Sequence, residues 1–181
     1  MYIYLPWVVP SMPKGLKQTS SVVAVGFDVT ETIINTFTQD SIDLNLSPLD
    51  REVFVVLAIN LDASAPDSVA GVNTITRGAL TTTSQTAMPT LADSNCLSRI
   101  TLQTQSAGFV DSGVSYSSQA LETPPSTLEY IGIIATNDFF VQVQGGGNTL
   151  VKGLSGKLYG YRAVADASIY AALVQSEVLS A

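Results

Sequence analysis

Short runs in which apolar and polar residues alternate recur along this chain. Successive side chains of a β-strand point to opposite faces, so such alternation predicts a strand with one buried face. In the first run, residues 21–37, one face carries Val23, Val25, Phe27 and Val29. The run is rich in β-branched residues, which favour strands, and it predicts a long opening strand.

Similar runs follow, each bounded by polar turns or by Pro and Gly. They predict strands over residues 41–46, 51–62, 73–83, 96–104, 127–135, 138–144 and 156–165. The run 51–62 is the most apolar of those before residue 100 and predicts a central strand. Thr136, Asn137 and Asp138 indicate a hairpin between the runs 127–135 and 138–144. The polar stretch 105–126 predicts a long loop.

Helical patterns between these runs are missing, which argues against a doubly wound nucleotide-binding fold. The pattern predicts an all-β protein, an antiparallel β-sandwich or barrel of about eight strands. We expect a single sandwich domain over residues 21–181, preceded by an extended N-terminal arm over residues 1–20. Pro6 and Pro10 interrupt the apolar arm, which has neither the basic start of a signal peptide nor the length of a membrane span.

The tail, residues 166–180, fits either a short C-terminal helix or a closing edge strand. Asp166 is a residue type that caps helices. Five apolar residues follow at helical spacing, which favours the helix slightly. They are Ile169, Tyr170, Leu173, Val174 and Val178.

The chain contains no histidine and one cysteine, Cys96. The commonest general base and metal ligand at neutral pH is therefore missing, together with every Ser-His or Cys-His nucleophile. No residue stands out as catalytic, cofactor-binding or metal-ligating, so we expect a protein that is not an enzyme and has no cofactor.

Two pairs of aspartates provide the oxygen ligands that calcium prefers. They are Asp62 with Asp67, and Asp40 with Asp43. Neither pair matches the twelve-residue calcium loop, and ordinary carboxylates of turns and strand faces are the favoured interpretation.

Three consecutive glycines, Gly145, Gly146 and Gly147, follow an apolar run. A phosphate-binding loop requires GxxxxGK[ST] before a helix. Around Gly156-Lys157 the spacing fails, and a strand-like run follows. We therefore predict a flexible turn at one end of the sandwich, where the three glycines meet neighbouring subunits.

The net charge is −7, and the basic residues are scattered along the chain. They are Lys14, Lys17, Arg51, Arg77, Arg99, Lys152, Lys157 and Arg162. Strong direct nucleic-acid binding is not expected without a basic patch. Charged residues make up 13% of the chain, about half the usual share. Such a surface favours a protein covered by neighbouring copies, a homo-oligomer, over an ordinary polar β domain.

The arm also carries Tyr2, Tyr4 and Trp7 among its prolines. Proline favours extended backbone, and large aromatic side chains are common in interfaces. Two interpretations stay open: the arm docks along a neighbouring subunit, or it packs on its own domain.

Several of these features together resemble the single jelly-roll coat proteins of small icosahedral viruses. They are the long opening run, the central run 51–62, the late runs 130–144, the closing run 156–165, the Thr/Ser-rich loops and the aromatic arm. The resemblance covers residues 20–165 and is architectural. It implies a jelly-roll sandwich that assembles, in many copies, into the icosahedral capsid shell of a virion.

In one respect the chain departs from that family. Many coat proteins that package a genome directly carry an Arg/Lys-rich arm, and this arm has only Lys14 and Lys17. The departure favours a shell over an internal membrane or beside a second capsid protein. The alternative function is a carbohydrate-binding or adhesin-like module in which Trp7 or Tyr116 stacks on sugar.

Overall fold

The computed structural model describes residues 13–108, 116–121 and 128–179. Ten strands and one helix lie within these ranges. The strands are β1 (Leu16–Gln18), β2 (Val23–Thr30), β3 (Thr38–Asp43), β4 (Glu52–Ala63), β5 (Thr74–Thr81), β6 (Cys96–Gln105), β7 (Tyr116–Leu121), β8 (Gly132–Ile134), β9 (Asp138–Gly146) and β10 (Gly153–Ala165). The helix α1 is Ala167–Leu179.

The strands form two antiparallel sheets. In sheet A the order is β8-β4-β10, and β1 and β2 both pair with the remaining edge of β10. In sheet B the order is β3-β9-β5-β6-β7. The prediction of an all-β protein with antiparallel sheets and a short C-terminal helix is confirmed.

The main core lies between the two sheets. Phe27 and Val29 of β2 are buried in it, as the alternation predicted, whereas Val23 is 41% exposed at the start of the strand. Phe54 of sheet A and Phe139 of sheet B are almost completely buried. The rings of Phe27 and Phe139 meet edge to face at 5.8 Å, a favourable arrangement for aromatic pairs.

A second apolar cluster lies on the outer face of sheet A, under α1. Val53 and Val55 point to this face, and both are fully buried because the helix covers them. The helix contributes Ile169, Leu173 and their neighbours, at the spacing seen in the sequence. Strand β4 is therefore buried on both faces along this part of its length, which explains its continuous apolar sequence.

Three expectations about strands require correction. The opening strand ends at Thr30, and residues 31–37 form a loop. The stretch 105–126 is not one long loop, because it contains β7, which pairs with β6. Strand β1 lies inside the expected arm and pairs with β10, so part of the region 1–20 belongs to sheet A.

The hairpin expected around Thr136 is also wrong. Strand β8 pairs with β4 in sheet A, whereas β9 pairs with β3 and β5 in sheet B. The connection between β8 and β9 therefore crosses from one sheet to the other. Asn137 fixes the crossing, because its backbone and side-chain oxygens accept hydrogen bonds from the amides of Leu44 and Leu46, both at 2.7 Å.

Candidate interaction surface

Three loops leave the sandwich at the same end, and we call this region the loop end. It consists of residues 31–37, 64–73 and 147–152, which follow β2, β4 and β9. The pairing of Thr30 with Gly153, and of Ile75 with Gly146, brings these strand ends together. Charged and amide side chains, most of them buried, connect all three loops.

An ion pair joins the second and third loops. The ammonium of Lys152 pairs with Asp67 and donates a hydrogen bond to the carbonyl of Ala65 at 3.0 Å. Asp67 also accepts hydrogen bonds from the amides of Thr149 and Leu150, at 2.8 and 2.9 Å. These donors, Lys152 above all, hold the pKa of Asp67 well below its usual range, although partial burial opposes the shift.

Glu31 connects the first loop to the third. Its side chain is buried, and its two carboxylate oxygens accept hydrogen bonds from the amides of Gly145 at 2.7 Å and Lys152 at 2.8 Å. A buried carboxylate requires such donors, because an unpaired one is costly. Glu31 therefore fixes the backbone on both sides of the turn that follows β9.

Two asparagines complete the network. The side chain of Asn35 donates a hydrogen bond to the backbone carbonyl of Asn148 at 2.8 Å and accepts one from the backbone amide of Asn148 at 2.9 Å. The side chain of Asn148 also accepts from the amide of Asp67 and donates to the carbonyl of Ile75. Asn35 has a φ of 61°, a region that asparagine tolerates better than most residues. The three loops are thus joined by side chains from each of them.

The three glycines do not form the predicted flexible turn. Gly145 and Gly146 belong to β9, and only Gly147, with a φ of 69°, lies in the turn. A Cβ atom on Gly145 would meet side-chain atoms of Asn148 at 2.7 Å and Asn35 at 3.1 Å. Because Gly145 has no side chain, it leaves space for the side chains of Asn35 and Asn148. Hydrogen bonds from the amides of Gly145 and Asn148 hold this glycine segment in place.

Outside this network the loop end exposes apolar side chains. They are Ile33 (67% exposed), Ile34, Val72, Leu150 (65%) and Val151. We call these five residues the apolar loop surface. Exposed apolar side chains that gather in one region of a surface are typical of interaction sites, whereas isolated ones are ordinary. The sequence did not mark these residues as exposed, because Ile33 and Ile34 lie inside the run 21–37, which predicted one long strand.

The other predicted interface residues are only partly described. Tyr2, Tyr4 and Trp7 lie outside the described residues. Tyr116 begins β7 and its backbone pairs with Gln105, but its side chain lies outside the described part of the structure. The interface role of these four residues, like that of the three glycines, therefore stays a prediction.

The aspartates considered for calcium have other surroundings. Asp67 pairs with Lys152, and Asp43 accepts hydrogen bonds from the amide of Asn45 and the side chain of Asn137. Within the described residues, no group of three acidic, histidine or cysteine side chains is placed to hold a metal ion.

A recess of about 240 Å³ lies on the open part of the outer face of sheet A. Asp28 and Asp62 flank Ser155 across three adjacent strands there. The lining contains carboxylates and hydroxyls but no aromatic side chain. It therefore lacks the stacking platform on which the carbohydrate-binding alternative depends.

A second cavity, of about 200 Å³, lies between α1 and the loop after β5. Glu177 lines it, and its carboxylate accepts hydrogen bonds from the amides of Ala135 and Thr136, both at 3.0 Å. Burial raises the pKa of Glu177, and these hydrogen bonds oppose the shift. Since both oxygens bind the chain itself, Glu177 attaches α1 to the crossing between the sheets.

No protein-family model matches the chain, and searches of curated proteins and of solved structures also found no match. None of the helices within the described ranges has the length and apolar character needed to cross a membrane.

Proposed function

We propose that this protein is a structural virion protein, a coat subunit that self-associates into a closed icosahedral shell. The observation that carries the proposal is the apolar loop surface, whose loops are joined by the hydrogen-bonded network of the loop end. A subunit of a large assembly needs apolar surface that is removed from water when two subunits meet, because this burial stabilises the contact. It also needs that area held in one geometry, because ordering a surface during association reduces affinity.

The mechanism of assembly is geometric. Identical subunits repeat one heterologous contact, and a shell closes when the rotation between neighbours closes. Fixed loops define that rotation better than mobile ones. The connections from Glu31, Asn35 and Lys152 across three loops supply such rigidity at the position where we expect the contact.

The order of the strands supports a sandwich of jelly-roll type. Without the short β1 and the edge strand β7, the sheets read β2-β10-β4-β8 and β3-β9-β5-β6. The chain changes sheet at the connections β2–β3, β3–β4, β4–β5, β8–β9 and β9–β10, and once more between β6 and β8, after the edge strand β7. This interleaving is the one expected of two Greek keys in a double-sheet jelly roll, an architecture used by viral capsid and lectin domains.

The positions of the basic residues are consistent with a shell that does not bind nucleic acid tightly. Lys152 is buried in the loop end, and Arg162 lies 3.5 Å from Glu52 while donating to two backbone carbonyls. The other six basic residues are scattered along the sequence and form no run of the kind that binds phosphates. A second capsid protein or an internal membrane is the further partner that we propose beneath or beside the shell.

Light scattering and negative-stain microscopy of the purified chain test the proposal. We expect closed particles of uniform size at high protein concentration. The double variant Ile33→Gln/Leu150→Gln is expected to stay monomeric, because it removes two of the most exposed apolar side chains of the loop end. Leu49→Gln is the control, since Leu49 is 96% exposed in the turn after β3, at the opposite end.

A wild-type chain that stays monomeric at high concentration contradicts the proposal. If Leu49→Gln abolishes the particles and the double variant preserves them, the contact between subunits lies at the other end of the sandwich. A glycan array covers the carbohydrate-binding alternative: sugar binding that is lost in Tyr116→Ala, without assembly, would replace the capsid proposal.

A further inference from the structure

Two arginines lie side by side on the outer face of sheet B. Leu80 of β5 and Ile100 of β6 belong to the main core, so the alternation of side chains places Arg77 and Arg99 on the opposite, outer face. Arg77 lies two residues before Ala79, which pairs with Arg99. The two arginines are therefore diagonal neighbours on adjacent strands, about 7–8 Å apart.

Neither arginine has an anionic partner within the described residues, whose ion pairs involve other cations. The side chains in the same two rows of sheet B carry no charge. They are Gln142, Gln144, Ala79 and Thr101. The Nε atom of Arg99 is buried and has no hydrogen-bond acceptor. A buried donor of a charged group is costly without an acceptor, so this arrangement indicates an anion that binds from outside the chain.

Two aspartates lie on the outer face of sheet A. Phe27 and Ala63 belong to the main core, so Asp28 of β2 and Asp62 of β4 point outwards. Both pair in register with Ser155 of the strand between them, which sets their Cα atoms about 10 Å apart. Both are exposed, and they flank the recess of about 240 Å³ in this face. The recess has room for a guanidinium group.

The aspartates also lack a cationic partner in the described part of the chain. Lys157 lies in the next row of the face, between Gly26 and Asn60. It forms no ion pair with either aspartate, since the ion pairs of the described residues involve other side chains. The row of Asp28 and Asp62 is therefore negative and open to a cation from outside the chain.

We propose that the arginine pair of one copy binds the aspartate pair of a neighbouring copy, and we call this contact the face contact. A single copy cannot bring these charges together, because its sheets pack on each other and their outer faces lie on opposite sides of the sandwich. The two pairs match in charge, and the long arginine side chains span the difference in spacing. Guanidinium groups also bind carboxylates through two parallel hydrogen bonds. The contact is heterologous, so each copy keeps one arginine pair and one aspartate pair for two different neighbours.

The face contact rests on the proposed self-association and adds a second interface to the loop end. Exposed ion pairs contribute little to the free energy of association. Complementary charges instead select the orientation of the partners and suppress wrong ones. The apolar loop surface holds neighbouring copies together, and the face contact determines which faces meet.

Charge reversal tests the face contact, with the protein concentration at which light scattering detects particles as the threshold. The aspartate variant is Asp28→Lys/Asp62→Lys, and the arginine variant is Arg77→Glu/Arg99→Glu. Each sets like charges against each other, and we expect each threshold to rise about tenfold or more. The fourfold variant combines both reversals, keeps the net charge of the wild type and restores opposite charges in every contact. Its threshold should return to within about threefold of the wild-type value.

The matched control for the aspartate variant is Asp40→Lys/Asp50→Lys, which changes the net charge equally. Asp40 and Asp50 are exposed, and neither lies on an outer face. Asp40 alternates with the outward Gln39 of β3, and Asp50 lies in the turn after β3. We expect this control to assemble at the wild-type threshold.

Circular dichroism shows whether each variant folds. If a reversal prevents folding, the neutral variants Asp28→Asn/Asp62→Asn and Arg77→Gln/Arg99→Gln replace it, and each should still raise the threshold about threefold or more. Reversed variants that assemble like the wild type overturn the face contact and leave the coat proposal intact. An effect of the arginine variant alone assigns the arginines to another anion and also overturns the contact, as does a fourfold variant that assembles no better than the single reversals. A wild-type chain that stays monomeric overturns the coat proposal and the face contact together.

Discussion

At the residue scale, Gly145 tests how tightly the loop end is built. We expect Gly145→Ala to destabilise the fold by about 1–3 kcal/mol, the usual effect of adding a methyl group to a filled site. The methyl carbon would lie 2.7 Å from the Asn148 side chain and 3.2 Å from Glu31. Gly26→Ala is the control, because a Cβ atom on Gly26 has open space around it. Urea unfolding measures both variants, and equal midpoints would contradict the tight fit.

Asp67 provides a pH test of the same network. The pKa of Asp67 is lower in the folded protein than in the unfolded chain, where the usual value is about 3.9. The ionised carboxylate therefore stabilises the fold at neutral pH, and this contribution falls as the pH drops below about 4. We expect the difference in urea midpoint between wild type and Asp67→Asn to be large at pH 7 and to shrink towards pH 2.5.

The exposed Asp28 is the control for Asp67, and Asp28→Asn should leave the midpoint nearly unchanged at both values of pH. A constant difference between wild type and Asp67→Asn would show that ionisation of Asp67 does not stabilise the fold, and it would contradict the lowered pKa of this residue. Neither residue pair was predictable from local sequence. Glu31 and Gly145 are 114 residues apart, and Lys152 and Asp67 are 85 apart, so only the folded chain reveals what each one contacts.

At the scale of elements, Glu177 controls how α1 attaches to the sandwich. We expect Glu177→Ala to keep the helix but to raise amide hydrogen exchange at Ala135 and Thr136 about tenfold or more. The variant leaves one buried and one half-buried amide donor without this acceptor, and an unsatisfied buried donor costs about 1–3 kcal/mol. Exchange measured by NMR or mass spectrometry checks this. Gln175→Ala, on the exposed side of α1, should leave both amides protected.

The inward side of α1 was predictable, and its attachment was not. Ile169 and Leu173 follow the helical spacing that buries one side of a helix. Glu177 interrupts that apolar pattern, and the sequence gives no sign that two amides from another connection will bind it. The failed hairpin has a similar cause, since a turn signal shows where a strand ends but not which sheet the next strand joins.

At the scale of the whole molecule, pairing between distant strands decides the architecture. Thr30 pairs with Gly153, and Thr38 pairs with Val143. Alternation predicted most of the strands, although not β1 or β7, and it predicted the one buried face of strands such as β2. It carries no information about the order of strands within each sheet, which depends on these distant pairings.

The temperature dependence of assembly is the last prediction, and it follows from the apolar character of the loop surface. Hydrophobic association weakens on cooling and strengthens with excluded salts such as sulfate. We therefore expect the protein concentration needed for particles to fall between 4 and 25 °C, at constant pH, and to fall again with ammonium sulfate. Light scattering across a concentration series measures this threshold. Contacts made mainly by charges would behave differently, since sodium chloride would screen them and raise the threshold. Particles that form equally well in the cold and dissolve in sodium chloride would therefore exclude the apolar loop surface as the contact.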